Sequence, residues 1–439
     1  KTVKGRSLTA LINDEIIGEL HEANGIWAFE YAHSWVTDSN GFALSPHLPL
    51  QTASIQDTGT HRHVQWYFDN LLPEEGQRLL LAGDAKIDSA DAFGLLGYYG
   101  SESAGSITLV TPDQFAQRTV ERGLQPLPDE NLSQRIQAMP AVPLAHTSKK
   151  KMSLAGAQHK LAINYKNDGI YEPVGETPST HILKPNHPDN DYAHSVINEY
   201  FVMRLAKTLG LDVPSVYRRY VPEPVYLIER FDRKENVGTY QRVHAIDACQ
   251  LLGLDRNYKY VKGSMATLAE LANACRSPAV ARVRLFTWLV FNILIGNTDA
   301  HLKNLSFVVN KQGIQLAPHY DMLSTACYET QAFGKADWPT RSNLAWPMLY
   351  TGKFSDITRT LLLDAGNALM INRNTVLRLI ENISGRIAQK AQDLYDEISI
   401  ENAELKRQRP ELGIVFEGEL RCLRTIQFSI IRDMLDKMK

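Results

Sequence analysis

Asp299 and Asn304 stand five positions apart in Gly296-Asn-Thr-Asp-Ala-His-Leu-Lys-Asn-Leu-Ser-Phe307, and a second carboxylate, Asp321, follows behind Tyr320. A carboxylate can take the proton of an attacking hydroxyl. An amide oxygen and a second carboxylate are hard donors of the kind Mg²⁺ accepts while it keeps waters and phosphate oxygens at its other positions. Together these residues are equipped for phosphoryl transfer. An isolated acid and amide at this spacing could equally cap and brace an ordinary loop, because so short a pattern recurs by chance.

What surrounds the motif gives it a means of delivery. Leu285 to Ile295 is the most apolar run of the chain and predicts a buried helix that ends in the polar loop. After Asn304, Leu305–Val309 and Ile314–Ala317 read as strands about the turn-rich Asn310-Lys-Gln-Gly313. A hairpin there returns the chain to its start and brings Asp321 beside Asn304. Helix, loop, hairpin and second acid agree with one another, and that agreement counts as evidence.

At 439 residues, 44% hydrophobic and 22% charged, the chain is globular material for several domains. Its formal charge of -2 provides no global attraction to nucleic acid or anionic membrane. Cys249, Cys275, Cys327 and Cys422 are far apart without a C-x-x-C pair, which argues against zinc and a disulfide framework and fits a reducing compartment. Asp14 and Glu15 interrupt the first apolar residues of a chain that begins at Lys1, leaving no signal-peptide core. The run from Leu285 to Ile295 contains Thr287 and Asn292 and falls short of the ~20 apolar residues of a membrane span. A soluble cytoplasmic protein is expected.

Taken in order, Ser7–Ile12, Glu15–Leu20 and Ile26–Tyr31 predict an antiparallel meander. A helical pattern from Arg62 to Leu81 breaks at Pro73, Gly94 to Gly105 is glycine-rich, and Ile107–Val110 reads as a strand. Five prolines and two short helical patches between Thr111 and Pro143 predict a connector. Ser148 and Lys149-Lys150-Lys151 then lead into Ser153-Leu-Ala-Gly-Ala-Gln-His-Lys160. Its small residues would let a backbone approach a ligand, with Lys160 beside phosphate; a solvated turn competes, since a G-x-G-x-x-G loop has three glycines.

Leu161–Tyr165 and Ile170–Tyr171 predict a hairpin about Asp168-Gly169. Thr180–Lys184 is a strand ending in a lysine that could meet nucleotide phosphates or simply water. Asp189–Leu209 reads as one helix stopped by Gly210, and Glu199 on it is the candidate to hold Lys184, with solvent as its alternative. Val213–Tyr220 and Val225–Phe231 complete a sheet of about five strands. Everything after Asp232 reads as mainly helical, and the junction at Glu229-Arg-Phe231 is where a nucleotide base could meet exposed backbone. Val376, Leu379, Ile383, Ile387, Leu394 and Ile398 form one stripe on a helix that also carries Arg378, Arg386 and Lys390, open to nucleic-acid phosphates or to solvent.

Phe68-Asp-Asn-Leu-Leu-Pro73, the Ser153 to Lys160 segment, Thr180-His-Ile-Leu-Lys184, Asn198-Glu199, Glu229-Arg-Phe-Asp-Arg233, Asn297-Thr-Asp-Ala-His-Leu-Lys-Asn304 and Tyr320-Asp321 together resemble the HipA family. These are the kinase toxins of bacterial toxin-antitoxin modules, and the motifs stand in the family's order over nearly the whole chain. The resemblance implies an α+β fold: a two-lobed protein-kinase-like core with a β-rich N-lobe over 148–231 and a helical C-lobe over 232–439. An N-terminal α+β domain over 1–110 and a connector over 111–147 precede it. It further implies a serine/threonine protein kinase using ATP and Mg²⁺. Asp299 would be the catalytic base, with His301 and Lys303 in the catalytic loop, and Asn304 and Asp321 would hold the metal. Ala155, Gly156, Ala157, Gln158, His159, Lys160 and Lys184 would lie on the phosphates, Glu229, Arg230 and Phe231 on the adenine, and His301 and Tyr320 also at the nucleotide.

Ser153 matches the family's self-phosphorylation site, where about two added negative charges would oppose the ATP phosphates and inactivate the enzyme. The implied partners are a dimeric HipB-like antitoxin, operator DNA bound by the pair, and a serine on a glutamate-tRNA ligase in the translation machinery, with no membrane. The run Trp346-Pro-Met348 departs from the family's pattern, His159 fills a variable position, and carry-over is least safe from Met322 to Trp346. Two other readings stay open: a small-molecule kinase, since related cores phosphorylate antibiotics and sugars, and a largely non-catalytic co-repressor on DNA.

Overall fold

The structure is a computed structural model that describes residues 5–117, 121–152 and 154–439, so Ser153 lies outside the described residues. Two compact units are each assembled from separate stretches of chain. The first takes the described residues of Lys1–Lys184 with Ile228–Lys259 and Ser306–Ala317; the second takes Pro185–Leu227, Tyr260–Leu305 and Pro318–Lys439. The fold is α+β, with the first unit rich in strands and the second mostly helical.

In the first unit an antiparallel five-stranded sheet runs in the order Ile55–Gln56, Ile26–Tyr31, Glu15–Ala23, Arg6–Ile12, Ile107–Val110. Its expected meander is present, and Asn24 and Gly25, both at positive φ, supply the tight turn that matches strand twist. Phe29 packs its ring 5.5 Å from Phe68 on the helix His63–Asp69, which ends before Pro73 as the sequence predicts. The glycine-rich run from Gly94 spans more than one kind of structure. It begins inside the helix Ala92–Tyr99, where Gly97 lets Leu8 of the sheet approach to 3.3 Å of where a Cβ would stand.

A second antiparallel sheet orders His181–Pro185, Leu161–Lys166, Gly169–Gly175 and Arg122–Pro126. Its last strand lies in the stretch read as a connector. Ala245–Asp247, Ser306–Asn310 and Gly313–Leu316 form a third sheet that contains the hairpin expected around Asn310 to Gly313. Beyond Asp232 the chain first makes a hairpin, Arg233–Asn236 with Thr239–Arg242, turning at Val237 and Gly238 in left-handed conformations. Its charged, exposed residues lack the alternation that would have marked it as strand.

In the second unit the predicted single helix from Asp189 is a short 3₁₀ turn, Asn190–Tyr192, followed by the helix Ser195–Thr208. His194, at φ 62, breaks the two apart, and its ring lies 2.3 Å from where a Cβ on Gly418 would stand. The C-terminal apolar stripe also divides, into Arg373–Ser384 and Ile387–Gln408, with Gly385 between them. Helical periodicity continues through such a break because both halves bury the same kind of residue. No helix among the described residues is long and apolar enough to cross a membrane.

Candidate active site

The helix Pro278–Leu294 buries Leu285, Phe286, Trp288, Leu289 and Phe291, and it releases the loop at Gly296. Gly296 has φ 63, and a Cβ there would stand 2.7 Å from Ile430 Cγ2 and 2.9 Å from Ala326 Cβ, so only glycine fits the exit. Asn292, a polar residue inside the apolar helix, accepts from Asn297 Nδ2 at 2.7 Å, and the Asn297 side-chain oxygen in turn accepts from Asp299 N at 3.0 Å. Two amides thus hold the start of the loop. Thr298 N donates to Thr325 Oγ1 at 2.6 Å, and the two threonine hydroxyls share a hydrogen bond at 2.7 Å.

The far end of the loop closes on the same residue. Asn304 Nδ2 donates to the main-chain oxygen of Asp299 at 3.0 Å, and His301 N donates to that oxygen at 2.8 Å. Because its nitrogen is used in this way, the amide of Asn304 keeps its oxygen as the donor for a cation. Tyr320 Oη donates to the main-chain oxygen of Lys303 at 2.9 Å, which ties the Tyr320 ring to the end of the loop. Asp321 holds a left-handed φ of 57, a strained conformation for a residue other than glycine. His301, Lys303 and Asn304 are buried, while Asp299 is partly open. The donor set of amide oxygen and carboxylate suits Mg²⁺.

The helix Ser195–Thr208 supports the segment after Asp321. Asn198 is fully buried; its Nδ2 donates to Ser324 O at 3.0 Å and its oxygen accepts from Ser324 N at 2.8 Å. Glu199, for which solvent exposure was an alternative, is buried instead. It lies against the buried hydroxyl of Tyr226, which is held well above its ordinary value by burial first, then by the charges of Glu199 and Asp321. Glu199 and Asp321 therefore bear on one phenol.

The remaining candidates belong to the first unit. Gly156 has φ 107, and Lys160 folds back so that its Nζ donates to Ala155 O at 2.6 Å. Gly156, Gln158, His159 and Lys160 border a small open pocket with Pro73 and Leu81. Ala157 is exposed in the same turn, and Lys184 is buried at the end of its strand. Glu229 is exposed and Phe231 half-buried, but the Arg230 side chain is committed elsewhere. It pairs with Asp232 at 2.7 Å and Glu102 at 3.3 Å, and its amide donates to Thr180 O at 2.9 Å.

Glu102 also meets Lys150 at 2.8 Å, Arg233 at 2.7 Å and Arg242 at 3.0 Å, all buried. Burial alone would raise its carboxyl, yet the charges of Lys150, Arg242, Arg233 and Arg230 hold it well below the carboxylate range.

Sequence reasoning passed over the amides of Asn292 and Asn297 as brackets of the loop, although a lone Asn within an apolar helix was a usable signal. It also passed over Tyr226 and Tyr260. The hydroxyl of Tyr260 donates to Asp299 Oδ1 from 39 residues away, and nothing in the local sequence marks it.

The model of the HipA-like C-terminal domain matches residues 152–391, and that of the HipA N-terminal domain matches residues 8–110. Y4mE of Sinorhizobium fredii is 31% identical over 407 residues, which are 89% of this chain and 93% of that protein. The serine/threonine-protein kinase toxin HipA of Shewanella oneidensis is 34% identical over 352 residues, 75% of this chain and 77% of that one. A solved complex of HipA, HipB and operator DNA from Shewanella oneidensis MR-1 superposes with a TM-score of 0.75 at 28% identity, covering 98% of this chain and 99% of that one. With both domain models matched and a relative above 30% identity along most of its length, the chain belongs to the HipA family.

Proposed function

We propose that this protein is an ATP-dependent serine/threonine protein kinase of the toxin type. The reading is supported by one observation above others: Asn304 is hydrogen-bonded to the main chain of Asp299, and the hydroxyl of Tyr320, the residue before Asp321, to that of Lys303. In the reaction, Asp299 takes the proton of an acceptor serine as its oxygen attacks the γ-phosphorus of ATP, and ADP leaves with the electrons of the broken bond. Asn304 and Asp321 would hold Mg²⁺, which neutralises phosphate charge when bound. His301 and Lys303 complete the loop.

By family resemblance, the 155–160 segment and Lys184 serve the phosphates. For the adenine, the main chain of Glu229, Arg230 and Phe231 would supply the contacts, the Arg230 guanidinium being bound to Asp232 and Glu102. The division into 1–110, 111–147, 148–231 and 232–439 is the functional one under this proposal.

The proposal extends to self-inactivation by phosphate on Ser153, to a HipB-like antitoxin dimer and operator DNA, and to a serine of a glutamate-tRNA ligase as target. Support for the partners is the makeup of the superposed Shewanella complex. Arg378, Arg386 and Lys390 have local contacts, Lys390 with Asp393 at 3.6 Å, and the proposal assigns them no DNA. Incubation with labelled Mg-ATP tests the activity. The wild type should gain label on protein while Asp299→Ala, equally folded, should not; an Asp299→Ala protein that labels normally removes Asp299 from the mechanism.

A further inference from the structure

The main chain of Asp299 is positioned without help from Tyr260. Its nitrogen is held by Asn297, and its oxygen by Asn304 and His301. Tyr260 Oη instead bonds the carboxylate, at the Oδ1 atom. An O–H donated to that oxygen is the same interaction that an acceptor serine must make before its proton moves. Tyr260 thus stands where the acceptor hydroxyl belongs.

The ring is placed to stay there yet able to leave. It meets His301 edge-on at 5.0 Å and an interplanar angle of 83°, but is 43% exposed, so it can swing into water without opening the core. Its segment is fixed from behind. Gly263 N donates to Tyr260 O at 3.0 Å, and Trp346 Nε1 donates to Ser264 O at 3.0 Å. Trp346 in turn crosses Trp288, on the helix that delivers the catalytic loop, at 5.8 Å and 87°. The run Trp346-Pro-Met348, foreign to the family's pattern, thereby backs the segment that carries Tyr260.

We infer that Tyr260 is a positioning residue that masks the Asp299 carboxylate until a hydroxyl-bearing protein acceptor displaces it. This rests on the reading of Asp299 as the base. A mask raises the apparent KM for the acceptor, because part of the binding energy goes into breaking the tyrosine contact. It leaves kcat alone, because the tyrosine has gone once the acceptor is seated.

The test uses the full chain and a synthetic peptide of residues 147–160 as acceptor, with KM and kcat measured at saturating Mg-ATP. Tyr260→Phe should lower the peptide KM about three- to tenfold, the scale of one partly exposed charge-assisted hydrogen bond. Its kcat should stay within about twofold of wild type. Tyr260→Ala should do the same, and thermal melting of both variants should match the wild type. An unchanged or raised KM, or a lower kcat, in folded Tyr260→Phe overturns the mask. Asp299→Asn, made in both backgrounds, separates the two ideas. If it is inactive while Tyr260→Phe behaves as wild type, only the mask fails; if it stays active, the reading of Asp299 fails and the mask with it.

Discussion

The side-chain amide of Asn304 donates to the main-chain oxygen of Asp299 at 3.0 Å, so in the proposed mechanism one residue would both fix the base and offer its oxygen to a cation. Asn304→Ala removes both roles and should reduce phosphate incorporation roughly a hundredfold, the usual scale for losing one charge-stabilising contact. Asn304→Asp keeps an oxygen donor but turns a hydrogen bond into repulsion against that carbonyl. It should retain more activity at high magnesium than Asn304→Ala, which a magnesium titration of the rate would show.

Gly296 sits at φ 63 with Ile430 and Ala326 pressed against it. Gly296→Ala combines left-handed strain with overpacking and should destabilise the protein by about 2–4 kcal/mol. The midpoint of urea unfolding measures it. Activity per folded molecule should fall too, because the loop starts at this residue.

Asn198 holds Ser324 by both main-chain groups. Asn198→Ala leaves a buried amide and carbonyl without that partner and should cost about 2–4 kcal/mol. Amide exchange should quicken from Met322 to Tyr328. Unchanged exchange there would mean the segment is braced without Asn198.

Glu102 is fully buried among Lys150, Arg230, Arg233 and Arg242. Glu102→Gln preserves its shape but removes the carboxylate that those cations share, and should cost about 3–5 kcal/mol. The pH sign follows from the direction of its shift. A carboxyl held lower in the folded state than in the unfolded one contributes stability above its unfolded value, and loses it as pH falls toward the folded one. Wild-type stability should therefore drop on acidification below the ordinary carboxylate range, and the Glu102→Gln protein should show a shallower drop.

The features legible along the chain are local ones. Asp299 and Asn304 are joined across five residues by one tight turn, so their spacing carried the geometry. The turn at Asn310 to Gly313 and the apolar helix before the loop were legible because turn chemistry and burial leave marks within a few residues. The charged hairpin at 233–242 left none, and the breaks at His194 and Gly385 were hidden by periodicity that continues through them.

Which distant residues meet one another depends on how the chain packs. Tyr260 reaches Asp299 across 39 positions, Asn198 reaches Ser324 across 126, and Glu102 gathers arginines 128, 131 and 140 positions away. Such pairs are selected by packing, which brings together chain segments with no shared period. A buried polar group must find its partner wherever the fold has put one.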